Sequence, residues 1–184
     1  MSRIVLPGAP LVDGPTALRP WRDSDVAALV AACRDPEIVR WTRVPDNYGE
    51  TDARAYLLQR YDAIHAGTTA PFAIVHASDQ TLAGSIALMR LDWDQRRGEV
   101  GYWLARGGRG QGHATRAVGL ICAWAFSALG LERINLHAAV GNLSSQRVAE
   151  RSGFTREGIL RAYMRGKDDQ QDMVAFGLLA DELR

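Results

Sequence analysis

Residues 106–115 read R-G-G-R-G-Q-G-H-A-T, a glycine-rich basic turn between the apolar stretch GEVGYWLA (98–105) and the long apolar segment ATRAVGLICAWAF (114–126). A strand, a glycine turn and a helix start together make an anion site. Glycine lets the backbone approach a ligand and turn several N–H groups toward it, and the first helical turn adds unpaired donors and partial positive charge. Arg109, and less firmly Arg106, adds formal charge. The competing reading is a mobile surface turn. It is disfavoured because this turn opens directly into an apolar helix, which aims its amides in one direction. No lysine follows the glycines as a P-loop requires, and Gly110-x-Gly112 lacks the third glycine of a dinucleotide fingerprint, so both nucleotide motifs fit poorly. A second constellation is Asn142-x-x-Ser145, where asparagine is a favoured helix cap and serine a polar first-turn residue.

The elements that must position these residues follow from periodicity and punctuation. TALRPW (16–21) reads as a strand stopped near Pro20, and DSDVAALVAACRD (23–35) as a helix capped by Asp23 or Ser24. A broken stretch containing Pro36 and Pro45 follows. A helix over 50–67 stops at Gly67, and strands are expected over 71–77, 81–91 and 98–105. Beyond the turn come a helix over 113–129, a strand over 133–140, a helix over 142–153 and a closing strand pair over 154–165 and 172–181. Strands with interleaved helices predict one α/β (α+β) domain spanning 1–184 with a mixed sheet.

Composition sets limits. With 184 residues, 47% hydrophobic and 23% charged, the chain suits a single domain with a real core. A net charge of +1 argues against a broad nucleic-acid face. The most apolar run, AVGLICAWAFSALGL, is 15 residues, too short to span a membrane, and the start MSRIVLPGAPL lacks a signal-peptide core. Cys33 and Cys122 are far apart and no Cys/His cluster exists, so two reduced buried thiols and no metal are expected. A soluble, cytoplasmic protein is the expectation.

The turn R-G-Q-G-H-A (109–114) resembles the pyrophosphate loop of the GNAT superfamily of N-acetyltransferases. The surrounding blocks GEVGYWLA, ATRAVGLICAWAF, NLSSQRVAERSGF, EGILR and DMVAFGLLADEL, with LRPWRDSD near the start, are similar in order to the branch typified by the ribosomal-protein acetyltransferases RimJ and RimL. The resemblance covers roughly residues 15–181. It implies a mostly antiparallel sheet of about seven strands, splayed between the fourth and fifth, with acetyl-CoA in the opening. It assigns the pantetheine arm to the backbone of Trp103, Leu104 and Ala105. The pyrophosphate falls to the N–H groups of Gly110, Gln111, Gly112, His113 and Ala114, with Arg109 and the Thr115 hydroxyl beside them. It gives Asn142 a contact to CoA and Ser145 a place near the departing sulfur.

One departure matters. The superfamily's common tyrosine acid, seven residues after the asparagine, is Ala149 here, so Ser145 takes that role by resemblance. A thiol of pKa about 8.5 leaves with little help, whereas an α-amine of pKa about 8 or a lysine of about 10.4 must lose a proton before it attacks. Glu99 is the first candidate base, through water, against a reading in which it pairs with Arg96 or Arg97. Glu157 is the second. The histidines carry no dyad pattern, and His137 reads as packing or surface. The expected reaction is direct transfer of acetyl from acetyl-CoA to an amine, most readily a protein N-terminus. An antibiotic or polyamine acceptor and a non-catalytic acyl-CoA sensor are the alternatives, and a nicotinamide oxidoreductase ranks far below. Acceptor choice is expected from 41–51, 61–70, 92–97 and 161–172, with Trp41 and Tyr48 at the mouth and Asp92, Asp94, Asp168 and Asp169 as possible amine attractors. A homodimer is suggested only by analogy with the branch.

Overall fold

The computed structural model describes residues 4–167 and 169–183. Eight strands form one open sheet in the order β1-β2-β3-β4-β5-β6-β8-β7: β1 Leu11–Asp13, β2 Thr16–Arg19, β3 Ala70–His76, β4 Leu82–Asp92, β5 Arg97–Leu104, β6 Arg133–Ala139, β7 Thr155–Arg165 and β8 Gln170–Leu179. Five α-helices flank it: α1 Val26–Cys33, α2 Pro36–Trp41, α3 Glu50–His65, α4 His113–Leu129 and α5 Leu143–Arg151. The expected strands are all present, with β1 added at the edge. The helix α2 replaces the expected broken stretch, because Pro36 stands in its first turn and Asp35 caps it by accepting from Glu37 N at 2.9 Å.

The pattern of β3, APFAIVH, explains the layering. Six of its seven residues are buried, which is possible only for a strand covered on both faces. One face packs on α4, whose Ala117, Val118, Ile121, Cys122, Trp124 and Ala125 recur at helical spacing. Phe72 meets Trp124 edge to face with ring centroids 5.4 Å apart. The opposite face holds a second cluster, with Leu29 and Cys33 of α1, Ala53 and Leu57 of α3, Trp21 and Tyr48.

The expected caps of the first helix are not used: neither Asp23 nor Ser24 makes a side-chain cap. Instead Asp25 accepts from Arg22 N and forms a buried two-bond pair with Arg19 at 2.7 and 2.8 Å. Asn142 does cap α5, accepting from Ser145 N at 3.1 Å.

Every strand pairing is antiparallel except β5 with β6. That parallel pair holds for three rungs, Arg97–Arg133, Gly98–Ile134 and Glu99–Asn135, and then the strands part. The expected splay therefore exists, between the fifth and sixth strands once β1 is counted.

Candidate active site

The opening between β5 and β6 continues into a cavity of about 1080 Å³. It is lined by Glu99, Trp103, Leu104, Arg109, Gly110, Gly112, Ala114, Thr115, Asn142 and Ser145, so ten of the thirteen sequence candidates share one space. Ala105, Gln111 and His113 do not line it.

Strand parity decides which backbone groups face the opening. Ala105 N donates to Ala83 O at 2.9 Å, and a Cβ on Gly84 would lie 2.3 Å from Trp103 O, so the main chains of Trp103 and Ala105 are turned to β4. Successive residues alternate in direction. The main chains of Tyr102 and Leu104 therefore face the gap, a shift of one residue from the expectation for Trp103 and Ala105. Gly84 and Gly108 allow close backbone packing here: a Cβ on Gly108 would approach Ala83 O to 2.5 Å.

In the glycine turn, Gly110 (φ +77°) and Gly112 (φ +79°) are left-handed, which bends the backbone into α4. Among the described residues, none of the N–H groups of residues 110–115 donates to a protein acceptor, and the first three helical ones have no intrahelical partner by construction. Six amides are thus free at one helix start. The Arg109 guanidinium is directed elsewhere than expected. It donates to Leu104 O at 3.2 and 3.0 Å and pairs with Asp35 at 3.2 Å, bracing the turn against β5 and α2. Gln111 folds back to Gly107 O at 2.6 Å. His113 is fully buried, bonded to Thr16 at 2.8 Å and stacked edge-on against His76, and burial followed by His76 and Arg116 pushes its pKa down.

On the far wall, Ser145 Oγ lies 3.1 Å from the hydroxyl of Tyr102, a residue that sequence reading passed over. Burial pushes the Tyr102 phenol up to about 12, so it stays protonated and available as a donor. Near the point of splay Glu99 is 8% exposed. Its Oε2 accepts from Arg90 at 2.7 Å and lies 3.0 Å from His137 Nδ1, outside the angular range of a hydrogen bond. Burial raises its pKa, but His137 and Arg90 outweigh burial and hold the carboxyl below its usual range. The expected partners are engaged elsewhere, Arg96 with Glu132 and Arg97 with Asp92. Glu157 pairs with Arg133 and does not line the cavity, so of the two candidate bases Glu99 alone does.

The segments 41–45 and 48, with Met164 and Gln171, line the acceptor end, whereas 61–70 and 92–97 do not. Lys167 pairs with Asp46, joining the two loops that do. Asp92, Asp94 and Asp169 lie off the cavity, and Asp168 lies outside the described residues. Among the described residues no helix is long and apolar enough to cross a membrane, and no group of three His, Cys, Asp or Glu is arranged to hold a metal.

Comparison with known proteins agrees with this geometry. The acetyltransferase (GNAT) domain model matches residues 16–155. The chain belongs to the GNAT acetyltransferase family. YdaF of Bacillus subtilis, provisionally named a ribosomal N-acetyltransferase, is 39% identical over 104 residues, 56% of this chain and 57% of that relative. Mycobacterium smegmatis RimJ in complex with CoA-disulfide superimposes with a TM-score of 0.84 at 25% identity, over 92% of this chain and 84% of RimJ. The GNAT fold is also shared by spermidine N-acetyltransferase from Vibrio cholerae in complex with CoA and spermine, with a TM-score of 0.78 at 21% identity over 91% and 97% of the two chains. Tyr102 and His137 are the site residues that the sequence reading missed. The signal for His137 was present in RINLHAAV: Ile134, Leu136 and Ala138 alternate into the core, which turns a histidine on an inner strand toward the other face.

Proposed function

We propose that this chain transfers the acetyl group of acetyl-CoA to a primary amine, a protein N-terminal α-amine in the first instance, by direct attack in a ternary complex. The observation that carries this reading is one cavity joining six free amides at a helix start to an open strand edge, with Ser145 and Glu99 beyond them. The amides of residues 110–115 suit a diphosphate. The outward main-chain groups of Tyr102 and Leu104 suit the amides of the pantetheine arm, and Asn142 stands at the start of α5 beside it. The resident fit is that of an elongated thioester with an anionic end.

Ser145 serves the sulfur. With the Tyr102 hydroxyl 3.1 Å away as its donor, Ser145 keeps its own proton for the leaving thiolate. Glu99 serves the amine side. No covalent enzyme intermediate is required: Cys122 is fully buried away from the cavity, and Cys33, which lines the cavity wall, is 2% exposed with its thiol pushed up to about 12 by burial, far from a reactive thiolate.

The acceptor end favours a singly charged amine over a polyamine. Arg43, Arg60 and Arg90 line it against Glu37, Asp52 and Glu99, so a polycation finds no net negative wall. The decisive experiment offers the protein acetyl-CoA with a panel of N-terminal peptides, polyamines and small amines, and follows thiol release and acceptor mass. Acetylated peptide N-termini are expected. Tight acetyl-CoA binding without turnover on any amine would replace this reading with that of a sensor.

A further inference from the structure

Glu99 and His137, which both line the cavity at the splay, differ in what they still have to offer. Glu99 Oε2 is shared between Arg90 and His137 at the rung where β5 and β6 begin to part. His137 Nδ1 is buried without an aligned hydrogen bond, and Glu99 is the acidic side chain paired with it. Its other ring nitrogen, Nε2, makes no protein hydrogen bond and retains access, and the residue lines the cavity. A carboxylate at one imidazole nitrogen and open space at the other is the arrangement that makes a histidine a proton acceptor. The carboxylate holds the proton on Nδ1 and leaves the Nε2 lone pair free.

We infer that His137 accepts the proton of the attacking amine through Nε2, with Glu99 as the positioning residue that fixes the ring from the Nδ1 side. The inference rests on the amine-transfer reading above. The amine lone pair forms the new C–N bond, and the C–S electron pair departs on sulfur. The surplus proton on nitrogen passes to His137 Nε2 and on to solvent, while the thiolate takes the Ser145 proton and the serine regains one from solvent through the Tyr102 hydroxyl. Nothing else is consumed.

Two considerations favour the imidazole over the carboxylate as base. Proton acceptors work best with a pKa near the working pH, and an ordinary imidazole sits at about 6.5. The Glu99 carboxyl is held below its usual range by the very groups that contact it, which makes it a weak acceptor and a good anchor. The charged and titratable groups facing His137 are Glu99 from β5, Arg90 through that carboxylate from β4, and Tyr163 from β7, whose ring centroid is 4.9 Å away; β8 presents Ala175 opposite. The off-axis His137–Glu99 contact needs only a small ring rotation to align, and catalytic hydrogen bonds commonly tighten when substrate arrives.

The test measures kcat for a peptide acceptor, with both substrates saturating, across a range of about pH 5.5 to 9 bracketing the ordinary imidazole value. Wild type should show an acid-side break in kcat within this range. H137Q should lose roughly 10²-fold in kcat and lose the break, with KM for acetyl-CoA little changed. E99Q should keep the break but move it to lower pH, because the ring loses its carboxylate. That shift reads out the dyad even if H137Q folds poorly, and free imidazole should restore part of the rate to H137G. An H137Q enzyme with wild-type kcat and pH profile, beside an inactive E99Q, would overturn the inference in favour of the carboxylate acting through water. A wild-type protein that acetylates no amine overturns the functional reading itself and this inference with it.

Discussion

Ser145 is held from two sides, by its own amide on the Asn142 cap and by its hydroxyl on Tyr102, so the position from which it is proposed to serve the sulfur is fixed before substrate binds. Tyr102→Phe removes the donor without removing the ring. It should lower kcat by on the order of tenfold while leaving KM for acetyl-CoA unchanged, and the loss should shrink with a thioester whose thiol is more acidic. Steady-state kinetics with two such thioesters checks this. Equal losses with both would remove the phenol from proton transfer. Gly112→Val attacks the other end: a Cβ there meets Arg116 Nη1 at 2.5 Å with φ at +79°. KM for acetyl-CoA should rise about tenfold or more, the order of binding loss expected for ~1.4 kcal/mol of strain at the turn. The glycine turn, Glu99, Asn142 and Ser145 were legible in the chain because their residue types are constrained locally. Tyr102 was not, because its role depends on which way its strand faces, which pairing with β4 sets; the alternation of RINLHAAV showed the face of His137 but not the Glu99 it meets there.

At the scale of elements, Gly84 and Gly110 make a paired prediction. Both are glycines near the cavity, but a Cβ at Gly84 would strike Trp103 O at 2.3 Å, whereas one at Gly110 meets nothing within 4 Å. Gly84→Ala should break the β4–β5 contact and cost at least about 1–3 kcal/mol, while Gly110→Ala should cost only the left-handed strain of about 1 kcal/mol. Thermal unfolding of both variants ranks them, and a reversed order would contradict the backbone approach. The block LRPWRDSD proves structural through Arg19 and Asp25. Burial raises the Asp25 pKa, but Arg19 and the Arg22 amide outweigh it and hold it below the usual value. A lowered folded pKa adds stability above the unfolded value of about 3.9, and that contribution is lost as pH falls through the folded one. Arg19→Ala strands the carboxylate and should cost about 3–5 kcal/mol near neutral pH. It should also flatten the stability slope below about pH 4, where titration of this pair acts. Denaturant melts across that range test both. The misread stretch is instructive at this scale too. Pro36 was taken as a breaker, yet a proline in the first turn of a helix is accommodated, and only the adjoining Asp35 cap distinguishes the two cases.

For the whole molecule, the sheet is joined at its centre by three parallel rungs, and beyond them β5 and β6 are held apart. A ligand gripping the amides of α4, the free edge of β5 and the start of α5 ties the two halves together. Acetyl-CoA at 100 times its dissociation constant should therefore add about 2.7 kcal/mol of stability, raising Tm by several degrees for a chain of this size. Differential scanning fluorimetry checks it, and hydrogen exchange should slow on both sides of the splay. Protection confined to α4 would show that the halves are not coupled through the ligand. The α/β class and the mixed sheet were readable from alternating strands and helices. The number of strands fell one short because β1 is only three residues long and carries no periodicity.

The two native thiols have a practical consequence. Cys33 and Cys122 are both buried, and burial drives both away from their reactive thiolate form. Maleimide dyes should therefore ignore the folded protein, so a single cysteine introduced at exposed Leu58 or Tyr61 on α3 would carry a fluorophore at one known address without first stripping the chain of its own sulfur.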